Sequence, residues 1–487
     1  MVSFNEIPAG IRTPFVAVEF DASQAQGQFG TQPYRALLVG QKLAAGNVAE
    51  LTPTQITRAE EAGAAFGQGS MLHAMARAFF AQTQDIEAVF IALDDPSGGS
   101  QATGTVTFAV SSPQPGAVRV YVGGRRYSVP TTAQSTADSL ASALAAQVSA
   151  DPDAYVTAAA VAGVVTLTAR HAGAAAGEID VRHSYFDDER LPLGVTCTVV
   201  AMSGGAGDVD LDEVIAALPE EQYNLLAVPY TDASNLTKLE TELAARFGPM
   251  RPIDGVAVCP SAAAYGALTT LGNSRNSPHV VISAATGSPS PVWEWSGALA
   301  ALIAQQGEID PARPMQTLPL ASILPPEPGA RLTRDERDLL LGDGIATTTT
   351  NAAGQVAVER LITTYQTSPQ GAPDTAYLDV TTLLTIGRLR FDVRALFGTK
   401  FPRHKLANDG TVFGAGQSVI TPSIARAELI GLARQWESAG LVENVDGFKA
   451  DIIVERDAQD PSRLNAYVPP DLINGLRVFA AQVGFRL

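Results

Sequence analysis

A chain of 487 residues, 46% hydrophobic and 17% charged, has core-forming material for roughly two to four domains. Its formal net charge of −17 excludes a general DNA-coating role and disfavours an anionic membrane surface as partner. Cys197 and Cys259 stand far apart and outside any CxxC pattern, which excludes a disulfide framework and a zinc site and fits a reducing compartment. The first residues lack a basic start followed by an apolar run, and no apolar stretch reaches the roughly 18–20 residues of a membrane span. A soluble intracellular protein without membrane insertion is expected.

In IRTPFVAVEFD, Val16, Val18 and Phe20 alternate behind Pro14 and Phe15. Pro14 cannot donate to a ladder, so this is at best an edge strand. The following SQAQGQFGTQP reads as a tether, and residues 1–34 read as an extended arm with its linker. RALLVGQ and DIEAVFIALDD are buried-strand runs flanking the helical pattern of GSMLHAMARAFFAQ. The same rhythm resumes after residue 208: strands in YNLLAVPY, DGVAVCPS and HVVISAAT, and helices in DASNLTKLETELAARFG, SAAAYGALTTLG and SPVWEWSGALAALIAQQG. Asp232 or Ser234 is the expected N-cap of the first helix, and Gly307 the expected stop of the last. Strands bounded by helices of this length imply α/β architecture, with a doubly wound, mainly parallel sheet core over 35–96 and 208–365.

Residues 97–207 have a different texture. SGGSQATG and SGGAGD bracket alternating strands and one helix, with Gly123-Gly124 as a hairpin turn. An inserted α+β domain on the outside of the core is expected. Beyond the core, ATTTTNAAGQVAVERLITTYQ reads as a hairpin, DTAYLDVTTLLTIGRLRFDVRALFG as a long helix, and TPSIARAELIGLARQWESAG as a helix capped by Thr421. KADIIVERD and LNAYVPP read as strands. Residues 366–474 are assigned to a C-terminal α+β domain.

Candidate chemistry is sparse. SGGAGD lacks the Gly-Lys-Ser/Thr end of a phosphate loop. DVDLDE opens like a calcium loop, but Glu213 and Pro219 occupy the positions needing Gly and Glu; these acids fit a helix N-terminus better. Cys259-Pro260-Ser261 follows a strand, but there is no GxSxG elbow and no assignable histidine base. A core thiol and an N-cap serine are the expected roles. No catalytic residue, metal or cofactor is assigned. A local reversal of sign stands out in IGRLRFDVRALFGTKFPRHK, where Arg388, Arg390, Arg394, Lys400, Arg403 and Lys405 face one acid, Asp392. It reads either as a solvated helix face or as a dock for an acidic protein surface.

The segment INGLRVFAAQVGFRL places Phe479, Ala481, Val483, Phe485 and Leu487 on one face of a strand. It either closes its own sheet against ADIIVERD or leaves, from Gly475 through Val478 onward, to add to a neighbour's sheet. Ordering a lone strand costs about 1–2 kcal/mol per residue, while each ladder bond returns ~0.5–1.5 kcal/mol. Each buried Phe or Val adds ~1.5–3 kcal/mol. An arm is therefore ordered only where its faces and edges are filled. Arms at two ends engaging different neighbours give heterologous contacts, which make rings or helices.

IPAGIRTPFVAVEFD, DPARPMQTLPLASILPP, GIATTTT with VAVERLITTYQ, DTAYLDVTT and VPPDLINGLRVFAAQVGFRL, in that order, resemble the contractile tail sheath proteins of Mu-like bacteriophages. The resemblance covers the arm, the core and the C-terminal domain; the insert matches in position and texture. It implies a homo-oligomer of six-fold discs stacked helically around an inner tube protein, with baseplate and tail terminator proteins as further partners and no direct nucleic-acid contact. It implies exchanged arms at both ends, an inner C-terminal domain, and a basic run facing the tube. The expected place is the virion tail, after assembly in the host cytoplasm. Contraction would move domains as rigid bodies about Ser23–Pro33 and Val468–Asn474. The alternatives are the sheath of a headless, tailocin-like particle and an enzyme built on the doubly wound core.

Overall fold

The computed structural model describes residues 32–414 and 416–486. The arm residues Pro14, Phe15, Val16, Val18 and Phe20 lie outside them, as does Leu487. RALLVGQ forms β1 (Arg35–Gln41), buried along nearly its whole length. There follow β2 (Thr54–Ile56), α1 (Ala59–Phe66), α2 (Met71–Gln82) and β3 (Glu87–Leu93). The Ser70 hydroxyl caps α2 by accepting from the His73 N–H at 3.1 Å.

The chain then leaves this sheet. It forms β4 (Gln101–Val110), β5 (Gly116–Val122), β6 (Arg125–Thr131), α3 (Ala137–Ala150), β7 (Val156–Val161), β8 (Val164–Ala172), β9 (Val181–His183) and β10 (Val195–Ser203). These strands build two antiparallel sheets, ordered β10-β4-β8-β7 and β6-β5-β9. Gly123 and Gly124 take φ +55° and +77°, the pair of positive values that a two-residue hairpin turn demands. β7 was not foreseen: its alanine-rich VTAAAV carries little strand signal, and pairing along β8 decides it. The two ends of the excursion meet where Ser100 bridges Ala206.

On its return the chain forms α4 (Leu211–Ala217), β11 (Leu225–Ala227), α5 (Ala233–Phe247), β12 (Val256–Val258), α6 (Tyr265–Asn273), β13 (Val280–Ser283), α7 (Val292–Ile309), α8 (Arg334–Gly342), β14 (Ile345–Thr350) and β15 (Val356–Arg360). The central sheet has eight strands, ordered β15-β14-β13-β12-β11-β1-β3-β2. It is parallel from β14 through β3 and antiparallel at its edges, β2 and β15. The architecture is mixed α/β, with a mostly parallel sheet plus small antiparallel ones. α2 and α7 pack on each other and on β1, and the strands between are buried on both faces. Gly307 does not stop α7, which runs on to Ile309. A Cβ there would lie 2.8 Å from the buried Tyr34 ring, so the glycine serves close approach rather than termination. Asp232 caps α5, accepting from the Asn235 N–H at 2.9 Å.

The remaining elements are α9 (Val380–Lys400), β16 (Lys405–Leu406), β17 (Val419–Ile420), α10 (Pro422–Ser438), β18 (Val442–Glu443), α11 (Val445–Asp451), β19 (Ile453–Arg456), β20 (Leu464–Tyr467) and β21 (Asp471–Leu472). Leu389, Leu396, Leu429, Leu432, Trp436, Val445 and Phe448 form a second apolar cluster. α9 starts six residues later than the sequence pattern suggests. The Asp374 carboxylate accepts from the Tyr365 hydroxyl at 2.6 Å, and Ile362 bridges Asp379, so the lead-in is held in a turn and a bridge instead of in the helix. Thr421 caps α10 as expected, accepting from the Ile424 N–H at 3.3 Å. Lys449–Asp451, expected in a strand, belong to α11, whose cap Asn444 sits at φ +57°. Among the described residues, no helix is long and apolar enough to cross a membrane.

Candidate functional site

Among the described residues β19 and β20 pair only with each other, Ile453 opposite Tyr467, and both of these side chains are more than half exposed. β21 pairs with β18 over two residues, and Ile473 N–H then reaches Leu441 O at 3.2 Å. Two-stranded ribbons of this size are marginal alone and leave open edges. The C-terminal segment does not close onto β19, whose described partner is β20. Pairing at home on ADIIVERD was one of its two readings, and the described residues show no such ladder.

Along the segment, Gly475 lies against the Pro314 ring and Gln316 Nε2 donates to Leu476 O at 3.5 Å. Arg477 Nη2 donates to Asp379 Oδ1 at 3.0 Å. Past Arg477 the described residues form neither helix nor strand. Val478, Phe479, Val483 and Phe485 are 79%, 84%, 85% and 82% exposed, and Ala481 is exposed too. Four large apolar side chains in nine residues are left in water, a patch whose natural state is covered.

The basic run is dispersed rather than gathered. Arg388 pairs with the buried Asp392 at 2.9 Å, and Trp436 Nε1 donates to the same carboxylate at 3.0 Å. Burial raises the Asp392 carboxyl above its ordinary range, and Arg388 and Trp436 pull it back. Arg390 stacks 4.4 Å from the Phe247 ring centre, donates to Phe247 O at 2.9 Å, and lies 3.7 Å from Asp254. Arg394 donates to Pro252 O at 2.9 Å, and Lys400 pairs with Glu428 at 2.7 Å. Arg403 and Lys405 remain exposed, with Lys405 Nζ donating to Gln417 at 3.0 Å. One helix turns 100° per residue, so neighbours in sequence meet different partners.

The groups weighed for catalysis sit in structural roles. Cys259 is fully buried, and burial pushes its thiol well above the ordinary range. Burial pushes Cys197 up to about 12. Ser261 is not a helix cap: α6 begins at Tyr265 after Ala264, and Ser261 instead bridges Ala284. Asp210 caps α4, accepting from the Asp212 N–H at 2.8 Å, and Lys238 reaches both acids at 2.5 and 2.9 Å.

Against this geometry, the phage tail sheath protein central domain matches residues 204–364, and the phage tail sheath C-terminal domain matches residues 372–486. A curated relative, the Mu-like prophage FluMu tail sheath protein of Haemophilus influenzae, is 36% identical over 486 residues, spanning 100% of both chains. The chain belongs to the phage tail sheath family. The family is structural, and this sheath chain is a structural subunit rather than an enzyme. Similar solved structures include the sheath tail protein from Desulfitobacterium hafniense, at 12% identity and TM-score 0.49, covering 94% of this chain and 100% of that one. The Listeria innocua sheath tail protein is 13% identical with TM-score 0.48, covering 91% and 96%. The anti-feeding prophage helical sheath in its contracted state is 13% identical with TM-score 0.45, covering 98% and 99%.

Sequence reasoning singled out the apolar side of the arm but missed its root. Arg477, Asp379 and Arg360 are far apart in the chain and carry no motif. Only the fold brings them together.

Proposed function

We propose that this sheath subunit polymerises by donating residues from Val478 onward to the sheet of an adjacent copy, with the β19–β20 ribbon as the receiving edge. The observation that carries the reading is the unpartnered run beyond Arg477, with Phe479 and Phe485 in water. Adding a strand to an open ribbon fills ladder positions and covers the apolar face at once. The N-terminal arm ahead of its linker makes the second exchanged contact, while Gln32 and Tyr34 stay buried in their own subunit. Two different partners per subunit make the contact heterologous, which builds rings or helices; the resemblance to phage sheaths implies six-fold discs stacked helically.

The proposed division is a doubly wound core over 35–96 and 208–365, an outer insert over 97–207, an inner C-terminal domain over 366–474, and the exchanged strand beyond. The inner tube protein sits inside, and baseplate and terminator proteins cap the ends, in the virion tail. Of the basic run, Arg394, Arg403 and Lys405 are exposed and, among the described residues, without an acidic partner, and these would meet an acidic tube surface. The sheath contracts as rigid bodies linked by persistent strands, driving the tube through the host envelope. Such motion needs no bound nucleotide when the extended array is metastable.

Deleting Val478–Leu487 tests this. The expected product is a soluble subunit with an unchanged melting temperature that forms no striated rods in negative-stain microscopy. Rods from the deletion protein would overturn the strand-exchange reading.

A further inference from the structure

Asp379 sits immediately before α9 and holds two guanidinium groups. Arg360, the last residue of β15, reaches it with Nε to Oδ1 at 3.2 Å and Nη2 to Oδ2 at 3.1 Å. Arg477 shares Oδ1 from the other side at 3.0 Å. The carboxylate is itself fixed by backbone pairing. Ile362 bridges Asp379, and Val380 N–H reaches Leu361 O. One acid thus joins the edge strand of the central sheet, the start of the longest C-terminal helix and the root of the arm.

We infer that Asp379 is a positioning residue that holds Arg477 beside Arg360 and so sets where, and in which direction, the arm leaves its own subunit. Among the described residues, Arg477 makes the last side-chain contact before the exposed run. The inference rests on the strand-exchange reading and narrows it. Ile473–Arg477 stay with the parent subunit, and exchange begins at Val478 rather than at Gly475.

The arm root also forms one wall of a cleft of about 570 Å3 with Arg360, Asp379 and Thr382. The two guanidinium groups are partly desolvated and share one carboxylate, so mutual repulsion and lost hydration offset much of what the ion pairs add to folding. Burial and the nearby Arg360 lower the Arg477 guanidinium from its ordinary value, while Asp379 favours its charge. The clamp therefore acts mainly on geometry. Releasing it moves the fixed point of the arm back toward Ile473 and lowers the effective concentration of the strand at its acceptor.

The test uses the full chain with Arg477→Ala, Arg477→Gln and Arg477→Lys, beside the Val478–Leu487 deletion. Expected for Arg477→Ala and Arg477→Gln are an unchanged melting temperature and faster amide exchange over 473–477. The protein concentration needed for rod formation should rise roughly three- to tenfold. Arg477→Lys should restore most of that threshold, which mere loss of packing would not predict. A wild-type threshold for Arg477→Ala and Arg477→Gln, while the deletion abolishes rods, overturns the clamp alone. Rods from the deletion overturn the strand-exchange reading beneath it.

Discussion

Phe485→Ala separates a side chain that serves assembly from one that serves folding. In the free subunit the ring is 82% exposed. Removing it changes little that folding had taken out of water, so subunit stability should stay within about 0.5 kcal/mol. If strand exchange buries the ring against a neighbour, loss of that burial costs about 1.5–3 kcal/mol. Each added subunit donates one arm, so the loss enters once per addition. At tenfold per ~1.4 kcal/mol, the threshold concentration for rods should rise roughly 10- to 100-fold. The control is Phe448→Ala, 4% exposed in the second apolar cluster, which should cost folding itself about 3–5 kcal/mol. Pelleting across a concentration series gives the threshold, and calorimetry gives subunit stability. The alternation supplies a further check, since Val483→Lys should block rods while Gln482→Lys, on the opposite face, is tolerated. The reasoning fails if Phe485→Ala assembles at the wild-type threshold, or if it lowers subunit melting as much as Phe448→Ala does.

His279 gives a pH dependence of definite sign. Burial, with the Arg390 charge adding to it, pushes its imidazole down to about 4 from the ordinary 6.5. The unfolded chain therefore takes up the proton first. Stability is intact above pH 6.5 and lost as pH falls toward 4, by about 3 kcal/mol in all. His279→Gln should flatten denaturant midpoints across that window; an unchanged slope would place the acid sensitivity elsewhere. Arg390→Ala should lower subunit stability by about 2–3 kcal/mol, because its stacking on Phe247 and its bond to Phe247 O are lost together. Arg403→Ala with Lys405→Ala should leave melting unchanged and weaken binding to an acidic tube surface more at low salt than at high.

The legible part of this protein is what local pattern fixes. Apolar runs announced β1 and β3, Thr421-Pro422 announced the start of α10, and Gly123-Gly124 announced its hairpin. The alternation of Phe479, Ala481, Val483 and Phe485 is a sequence expectation of a strand, and the described residues form no strand there. Other features depend on partners distant in the chain. The start of α9 is delayed by Ile362 and Tyr365, β7 exists through β8, and the basic run is divided among Phe247, Asp254, Asp392 and Glu428. Sequence alone determined that a β-forming segment with one apolar face had to be covered by something. The tertiary structure decided that, among the described residues, its own subunit leaves that face in water, with Arg477 held at Asp379 just before the exposed run. Hydrogen-bonding edges and ion pairs are claimed in space, and the order of residues does not say which claim comes first.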